Sequence, residues 1–304
     1  MEKLRFIVVK FWYGILKCYA RFYGSVRLKA QSLNRSDALY DVGLITFTKN
    51  EDPYILEWLV YHIQVVKVDH IILVDNNLEL SDYSRLPVEL RLCVTIIHDK
   101  TPFNGVKTQI RLLNKYINMF AGQFNWLGVI DTDEYIYLGK KGDEELGIKS
   151  FLLSDDLSNI CYFYWRFYGP ADAEKFKVNG SLILSSSLRA VEDYPPHFQF
   201  KSLFKAEAFF CFFRGPHEPL LYGGARPSKA SGFLNHYYFR TEEFFELKRN
   251  RRQVAFGYKD SDFSFDQNII ACSQVKTEDE RFKPYRTKFK EFWLANQPPS
   301  QPAT

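Results

Sequence analysis

The sequence predicts an α/β protein with a mostly parallel central sheet flanked by helices. Two observations carry the prediction. Between residues 41 and 131, apolar β-rich runs alternate with amphipathic helical repeats over short links, the pattern of a helix-covered parallel sheet. Three of the runs also end in polar clusters: Thr48-Lys49-Asn50-Glu51, Asp75-Asn76-Asn77 and Asp131-Thr132-Asp133-Glu134. Parallel sheets gather ligands at the carboxyl ends of their strands, so three converging ends predict a site as well as a fold.

The elements follow in order. DVGLITFT (41–48) is the first strand. In the next segment Asp52 is placed to cap a helix with Pro53 at its first position. Ile55, Leu56, Leu59, Val60, Ile63 and Val66 share one face of that helix. HIILVD (70–75) and LCVTIIHD (92–99) give two more strands, and Val106, Ile110, Leu113, Ile117 and Phe120 step by four, three, four and three along a second helix. WLGVID (126–131) closes the series. Beyond it, 160–168, 182–190 and 198–205 read as strands or sheet edges, GPHEPLLYGG as a loop, and 241–252 as a helix with acids first and bases last.

At 304 residues and 46% hydrophobic, the chain is long enough for one large domain with appendages. We divide it into a basic aromatic arm (1–36), a main domain (37–250) and a C-terminal extension of that domain (251–304) ending in a loose tail. Five scattered cysteines form no C-x-x-C pair, which argues against a zinc site or disulfide framework and for the cytoplasm.

The net charge of +4 is uneven: residues 1–35 carry +7 and the remainder −3. A nucleic-acid-binding body is therefore not expected. In the arm, Lys3, Lys10 and Lys17 recur at sevens among Phe6, Phe11, Trp12, Ile15, Leu16, Tyr19 and Phe22. No uncharged stretch approaches the roughly 20 residues needed to span a bilayer. Two readings stay open: a helix lying in the surface of an anionic membrane, or one packed on the body with solvated lysines.

Asp131, Asp133 and Glu134 crowd three carboxylates into four positions, which repel unless water or a cation screens them. Oxygen ligands at this spacing suit Mn²⁺ or Mg²⁺. An isolated D-x-D is also the make-up of an ordinary solvated turn; its place at the end of an apolar strand is what singles it out.

TKNEDPYILEWLVYH, HIILVDNN and VIDTDEYIYL together resemble the bacterial glycosyltransferases of the GT-A fold, in the neighbourhood of families 2 and 92. The K-S-x-x-K stretch from Lys201 to Lys205, the GPHEP loop and NHYYFRTEEFFELK extend the resemblance over about residues 42–250. It implies that Asp131 and Asp133 hold a divalent cation bridging the phosphates of a nucleotide-diphospho-sugar, and that Asn50, Glu51 and Asp75 face base and ribose. The residues allow plainer roles: a helix cap for Asn50, a turn for Asp75. The resemblance makes His217 a further metal ligand, with His236 its competitor or a core hydrogen-bonding residue, and His62 structural.

Lys201 and Arg214 are candidates to pair with phosphates, although Lys201 on an alternating strand also suits a solvated face. An inverting transfer needs a base for the acceptor hydroxyl; Glu218 and Asp266 are the candidates, and Glu134 either lines the acceptor side or braces the turn. Aromatic residues between 162 and 168 suit either a sugar-stacking surface or core.

The implied activity is transfer of a hexose, with UDP-galactose the leading donor, to a hydroxyl of a cell-surface glycan or glycolipid such as lipooligosaccharide or capsule. It would occur on the cytoplasmic face of a bacterial inner membrane. The segment after Glu134 lacks the motifs of processive members, so polymerisation is not expected. The rivals are a nucleotide- or carbohydrate-binding protein without turnover, and a two-metal phosphodiesterase, which demands more clustered ligands than the strand ends supply.

Overall fold

Residues favouring β-structure build four parallel strands at the heart of the sheet: β1 (Tyr40–Thr48), β2 (His70–Asp75), β3 (Val94–His98) and β4 (Phe124–Val129). The computed structural model describes residues 9–22, 38–102, 105–138, 143–153, 157–169, 181–185, 188–190, 192–238, 240, 246–247, 250 and 280–295. Five further strands complete the sheet: β5 (Glu134–Tyr137), β6 (Ile160–Gly169), β7 (Leu188–Arg189), β8 (Phe200–Lys205) and β11 (Gly232–His236). Their order is β3-β2-β1-β4-β8-β6-β11-β5, with β7 on β6; β9 (Phe209–Cys211) and β10 (Leu220–Leu221) form a separate pair. Six of the nine strands share one sense; β5, β7 and β8 oppose it.

Alternation along the central strands feeds two cores. Val42, Leu44, Ile71 and Leu73 face helix α2 (Asp52–Val60), while Ile45, Ile72 and Val74 face helix α4 (Val106–Phe120). Every residue of β2 is buried, as expected of a strand covered on both faces. Gly105, at the cap of α4, has φ 82°, a left-handed backbone that suits glycine. A single turn, α3 (Val88–Arg91), precedes β3, and α5 (Asp143–Leu153) follows β5.

The start of α2 differs from expectation. Asp52 is already helical, and the cap position is Glu51, which makes no side-chain capping bond. Its carboxylate is drawn instead to the guanidinium of Arg240, while its carbonyl accepts the N–H groups of Tyr54 and Ile55. Residues 182–190 also differ. Leu182–Ser185 form a helical turn, α6, and only Leu188–Arg189 are strand. The buried carboxylate of Glu57 on α2 accepts the N–H groups of Leu182 and Ile183 at 3.0 and 3.1 Å, which satisfies the start of a helical turn.

The C-terminal helix α7 (Lys283–Ala295) belongs to the same body. Tyr285 and Phe289 enter the core beside Tyr61 and Tyr137, and the Tyr285 hydroxyl accepts the N–H of Leu138 at 3.0 Å. Near the other end, helix α1 (9–22) rests on the β9–β10 region, with Tyr13 stacked on Phe213. No helix among the described residues is long and apolar enough to cross a membrane. Most of the helix expected at 241–252 lies outside the described residues, although 246, 247 and 250 are helical.

Candidate functional site

The acidic segment is a crossover. It leaves β4 and re-enters the sheet at β5, although β8, β6 and β11 lie between them. On a flat sheet those four spacings would cover roughly 19 Å, more than five residue steps from Val129 to Glu134 can reach. The sheet therefore curls, and residues 130–133 pass over the ends of the three intervening strands. Those strands supply what lies beneath. The β4–β8 pairing, extended two residues, sets Lys201 opposite Ile130, and His236 of β11 pairs with Glu134.

The turn is locked from both sides. Glu134 N–H donates to the Asp131 carbonyl at 3.0 Å, and Asp131 N–H donates to Glu134 Oε2 at 2.8 Å. Glu134 thus braces the turn. Its backbone is held by α2 and the π-helical turn that continues it (Tyr61–Val65), whose side chains take the place of a neighbouring strand along the outer edge of β5. Trp58 Nε1 donates to the Glu134 carbonyl at 2.8 Å, Tyr61 hydroxyl donates to the Ile136 carbonyl at 2.6 Å, and Ile136 N–H donates to His62 Nε2 at 3.3 Å. His62 Nδ1 meets the Trp58 carbonyl at 2.9 Å, so Nδ1 carries the hydrogen. Burial holds this imidazole neutral, with its pKa down at about 3. His62 is structural, as expected.

Lys201 corrects one expectation. Its place on an alternating strand suited a solvated face, yet it is 0% exposed. Its Nζ lies 3.0 Å from Asp131 Oδ2 and 3.7 Å from Glu134 Oε2. Burial alone would lower its pKa, but the charges of Asp131 and Glu134 outweigh that and raise it. Burial lifts the Glu134 carboxyl above its ordinary range; Lys201 pulls it down, and Asp131 and Asp133 push it up again. Lys201 to Phe204 are all buried, so β8 has no solvated face, and the acidic turn supplies the lysine's counter-charge.

Asp133 is buried, and His236 Nε2 lies 3.2 Å from its Oδ2. Trp165 fills the space between the two candidate histidines, its ring centroid 4.5 Å from that of His236 and 5.5 Å from that of His217. His217 Nδ1 donates to the Phe200 carbonyl at 2.7 Å, which leaves the lone pair on Nε2. Burial, then the charge of Lys201, lowers its pKa to about 4. A neutral imidazole with a fixed tautomer is the form that ligates a metal.

The donor set has the chemistry for Mn²⁺ or Mg²⁺. The Asp131 side chain is 50% exposed, and Glu134 Oε1 accepts no hydrogen bond among the described residues. Yet no three His, Cys, Asp or Glu side chains among the described residues stand grouped to hold an ion. Mg²⁺ is ordinarily held by one or two carboxylates together with substrate phosphates.

The other strand ends are more committed. Asp75 accepts Asn77 N–H at 2.9 Å, Ser81 N–H at 3.0 Å and the Tyr83 hydroxyl at 2.7 Å. Burial would raise its pKa, but these bonds bring it below the usual value, so its carboxylate shapes the 75–83 turn. Asn50 adopts φ 55° and donates its N–H to Asn77 Oδ1 at 2.8 Å, tying the first two strand ends together. Arg214 stacks its guanidinium on Tyr13 of α1, 5.0 Å from the ring centroid. Glu218 is exposed, next to His217, and accepts the Tyr162 hydroxyl at 2.9 Å. Asp266 lies outside the described residues. Phe163 and Phe167 are core, and Trp165 is buried against the histidines.

Comparison with known proteins gives modest similarity. No family model matches the chain. Over 139 residues it is 25% identical to a glycosyltransferase family 92 protein of Arabidopsis thaliana, a match covering 46% of this chain and 24% of that protein. The match thus spans about a quarter of the relative's length. Among solved structures, S. aureus TarS 1-349 superposes with a TM-score of 0.38 and 16% identity, covering 81% of this chain and 73% of that one.

Proposed function

We propose that the chain is a metal-dependent glycosyltransferase of GT-A type. It passes a hexose, with UDP-galactose the leading donor, to a hydroxyl of a cell-surface glycan with inversion at the sugar carbon. The observation that carries this reading is the acidic crossover, which sets Asp131, Asp133 and Glu134 over Lys201 and His236 at the carboxyl ends of parallel strands. The family 92 similarity supports the same reaction class.

In this reading a cation, when bound, would supply Lewis-acid stabilisation of the departing diphosphate. Asp131 and Asp133 would hold it, and His217 Nε2 is the further donor. His236 fixes the carboxylate of Asp133, and Lys201 adds a buried positive charge beneath the phosphates. Asn50 and Glu51 stand at the first strand end, where base and ribose would lie, with Asp75 shaping the turn beside them. Glu218 is the described candidate to receive the acceptor proton.

One observation favours a second reading, a nucleotide- or carbohydrate-binding protein without turnover. Lys201 already supplies Asp131 with a counter-charge at 3.0 Å, so the acidic turn is offset in part without a metal. A screen of UDP-, GDP- and CMP-sugars with and without Mn²⁺ separates the two. Turnover of a UDP-sugar that collapses in EDTA and in Asp133→Ala is the expected result. UDP binding without turnover of any donor selects the second reading, and undiminished turnover in Asp133→Ala removes the metal role.

A further inference from the structure

Among the described residues, helix α1 meets the body through Tyr13, Tyr19 and Ala20. Ala20 is buried and its carbonyl accepts Gly223 N–H at 3.0 Å; Tyr13 stacks on Phe213 at 6.0 Å between centroids. At 100° per residue, Tyr13, Leu16 and Ala20 share one side. Phe11, Ile15, Cys18 and Phe22 occupy the opposite one, where Phe11 is 66% and Phe22 81% exposed. Trp12 beside them is 53% exposed. Lys10 and Lys17 lie along one flank. A helix that only packed on the body would turn all its large rings inward; here Tyr13 and Ala20 face the body while Phe11 and Phe22 face out.

We propose that this outer face docks on an anionic lipid surface. Apolar rings edged by lysines are suited to the boundary between headgroups and acyl chains. Charge chooses lipid over a second copy of the chain. Residues 1–35 carry +7, so two arms brought face to face repel, whereas anionic headgroups attract each arm. The helix itself carries Lys10, Lys17 and Arg21 and no acid, while the residues beyond 35 carry −3. The body-facing side of the helix borders the candidate site: Arg214, three residues before His217, stacks on Tyr13 of α1, and Tyr162 donates to Glu218 of the same loop. If the proposed transfer reaction holds, an acceptor hydroxyl carried on a lipid is presented at that loop. Lipid binding itself does not depend on the reaction.

The test is sedimentation of the full chain with vesicles of phosphatidylcholine alone, and of phosphatidylcholine with phosphatidylglycerol at about three to one. Binding to the mixed vesicles that weakens with added salt is expected, with little binding to the neutral ones. Phe11→Ser with Phe22→Ser should reduce partitioning by about tenfold or more, while the thermal midpoint and UDP-sugar turnover stay unchanged. Equal partitioning of this variant, or no preference for anionic vesicles, overturns the proposal. So does a dimer, seen by light scattering, that the two substitutions dissolve. Turnover is read separately, so loss of either conclusion leaves the other standing.

Discussion

Lys201 Nζ lies 3.0 Å from Asp131 Oδ2 with the lysine fully buried, so the acidic turn carries an internal counter-charge. Removing one member of a buried pair is costly because the other is left uncompensated. Lys201→Met should therefore destabilise the fold by about 3 kcal/mol at neutral pH, the low end of such losses because Asp131 is half open to water. Burial lifts the Glu134 carboxyl to about 8, so it already carries a proton near neutral pH and the loss falls mainly on Asp131. Urea unfolding at neutral pH measures this. A Mn²⁺-dependent rise in thermal midpoint that is larger in the variant than in the unsubstituted chain would mark the vacated charge as a cation position.

Cation binding should be coupled to the diphosphate. With two carboxylates and no grouped third ligand among the described residues, Mn²⁺ alone should bind weakly, and UDP should tighten it by about tenfold or more, the usual range of a coupling between adjoining ligands. Calorimetric titration of Mn²⁺ with and without UDP gives the factor directly. The reciprocal titration must return the same factor, and Asp133→Ala should bring it close to one.

The histidine of the turn that follows α2 predicts a pH dependence. His62 is fully buried and its pKa is lowered to about 3 by burial, against an ordinary 6.5. The folded state therefore binds fewer protons than the unfolded chain between those values. Its contribution is complete above pH 6.5 and is lost as pH falls toward 3, at about 1.4 kcal/mol per pH unit for one proton. His62→Gln should remove about one proton from that slope. An unchanged slope would show that His62 titrates normally.

These relationships mark what was legible in the sequence. The alternation of apolar runs gave the parallel strands and the two helices between them, α2 and α4, because buried strands and amphipathic helices leave periodic signatures. The acidic crossover was visible as a motif at a strand end. What lay beneath it was not, since Lys201 reaches Asp131 across 70 residues and His236 reaches Asp133 across 103. Such pairs depend on the register of β8 and β11, and no local periodicity encodes a register between distant strands. The bracing of β5 by Trp58, Tyr61 and His62 was hidden for another reason: the same spacing of three and four also describes an ordinary core-facing helix. Leu182–Ser185 was misassigned because its helical turn is organised by Glu57, more than a hundred residues earlier.

That brace yields a prediction of its own. Trp58→Phe keeps the ring in the core but removes the donor to the Glu134 carbonyl. The unsatisfied buried carbonyl should cost about 1–2 kcal/mol of stability. Loosening the strand that follows the turn should also weaken Mn²⁺–UDP binding, although Trp58 belongs to no candidate ligand set. Measuring unfolding free energy beside the coupled titration tests both. A loss of stability with unchanged coupling would confine Trp58 to the core.

Glu218 provides the direct test of catalysis. It is exposed, adjoins His217 and holds the Tyr162 hydroxyl at 2.9 Å, so replacing it should disturb the fold little. If it receives the acceptor proton, Glu218→Gln should lower kcat by about a hundredfold or more while the donor KM stays nearly constant. Tyr162→Phe removes only the hydrogen bond and should cost far less, because the carboxylate remains. Transfer kinetics on the acceptor found by the donor screen give both values. Equal, small effects of the two substitutions would assign Glu218 to the loop's structure, and the search for the base would pass to Asp266.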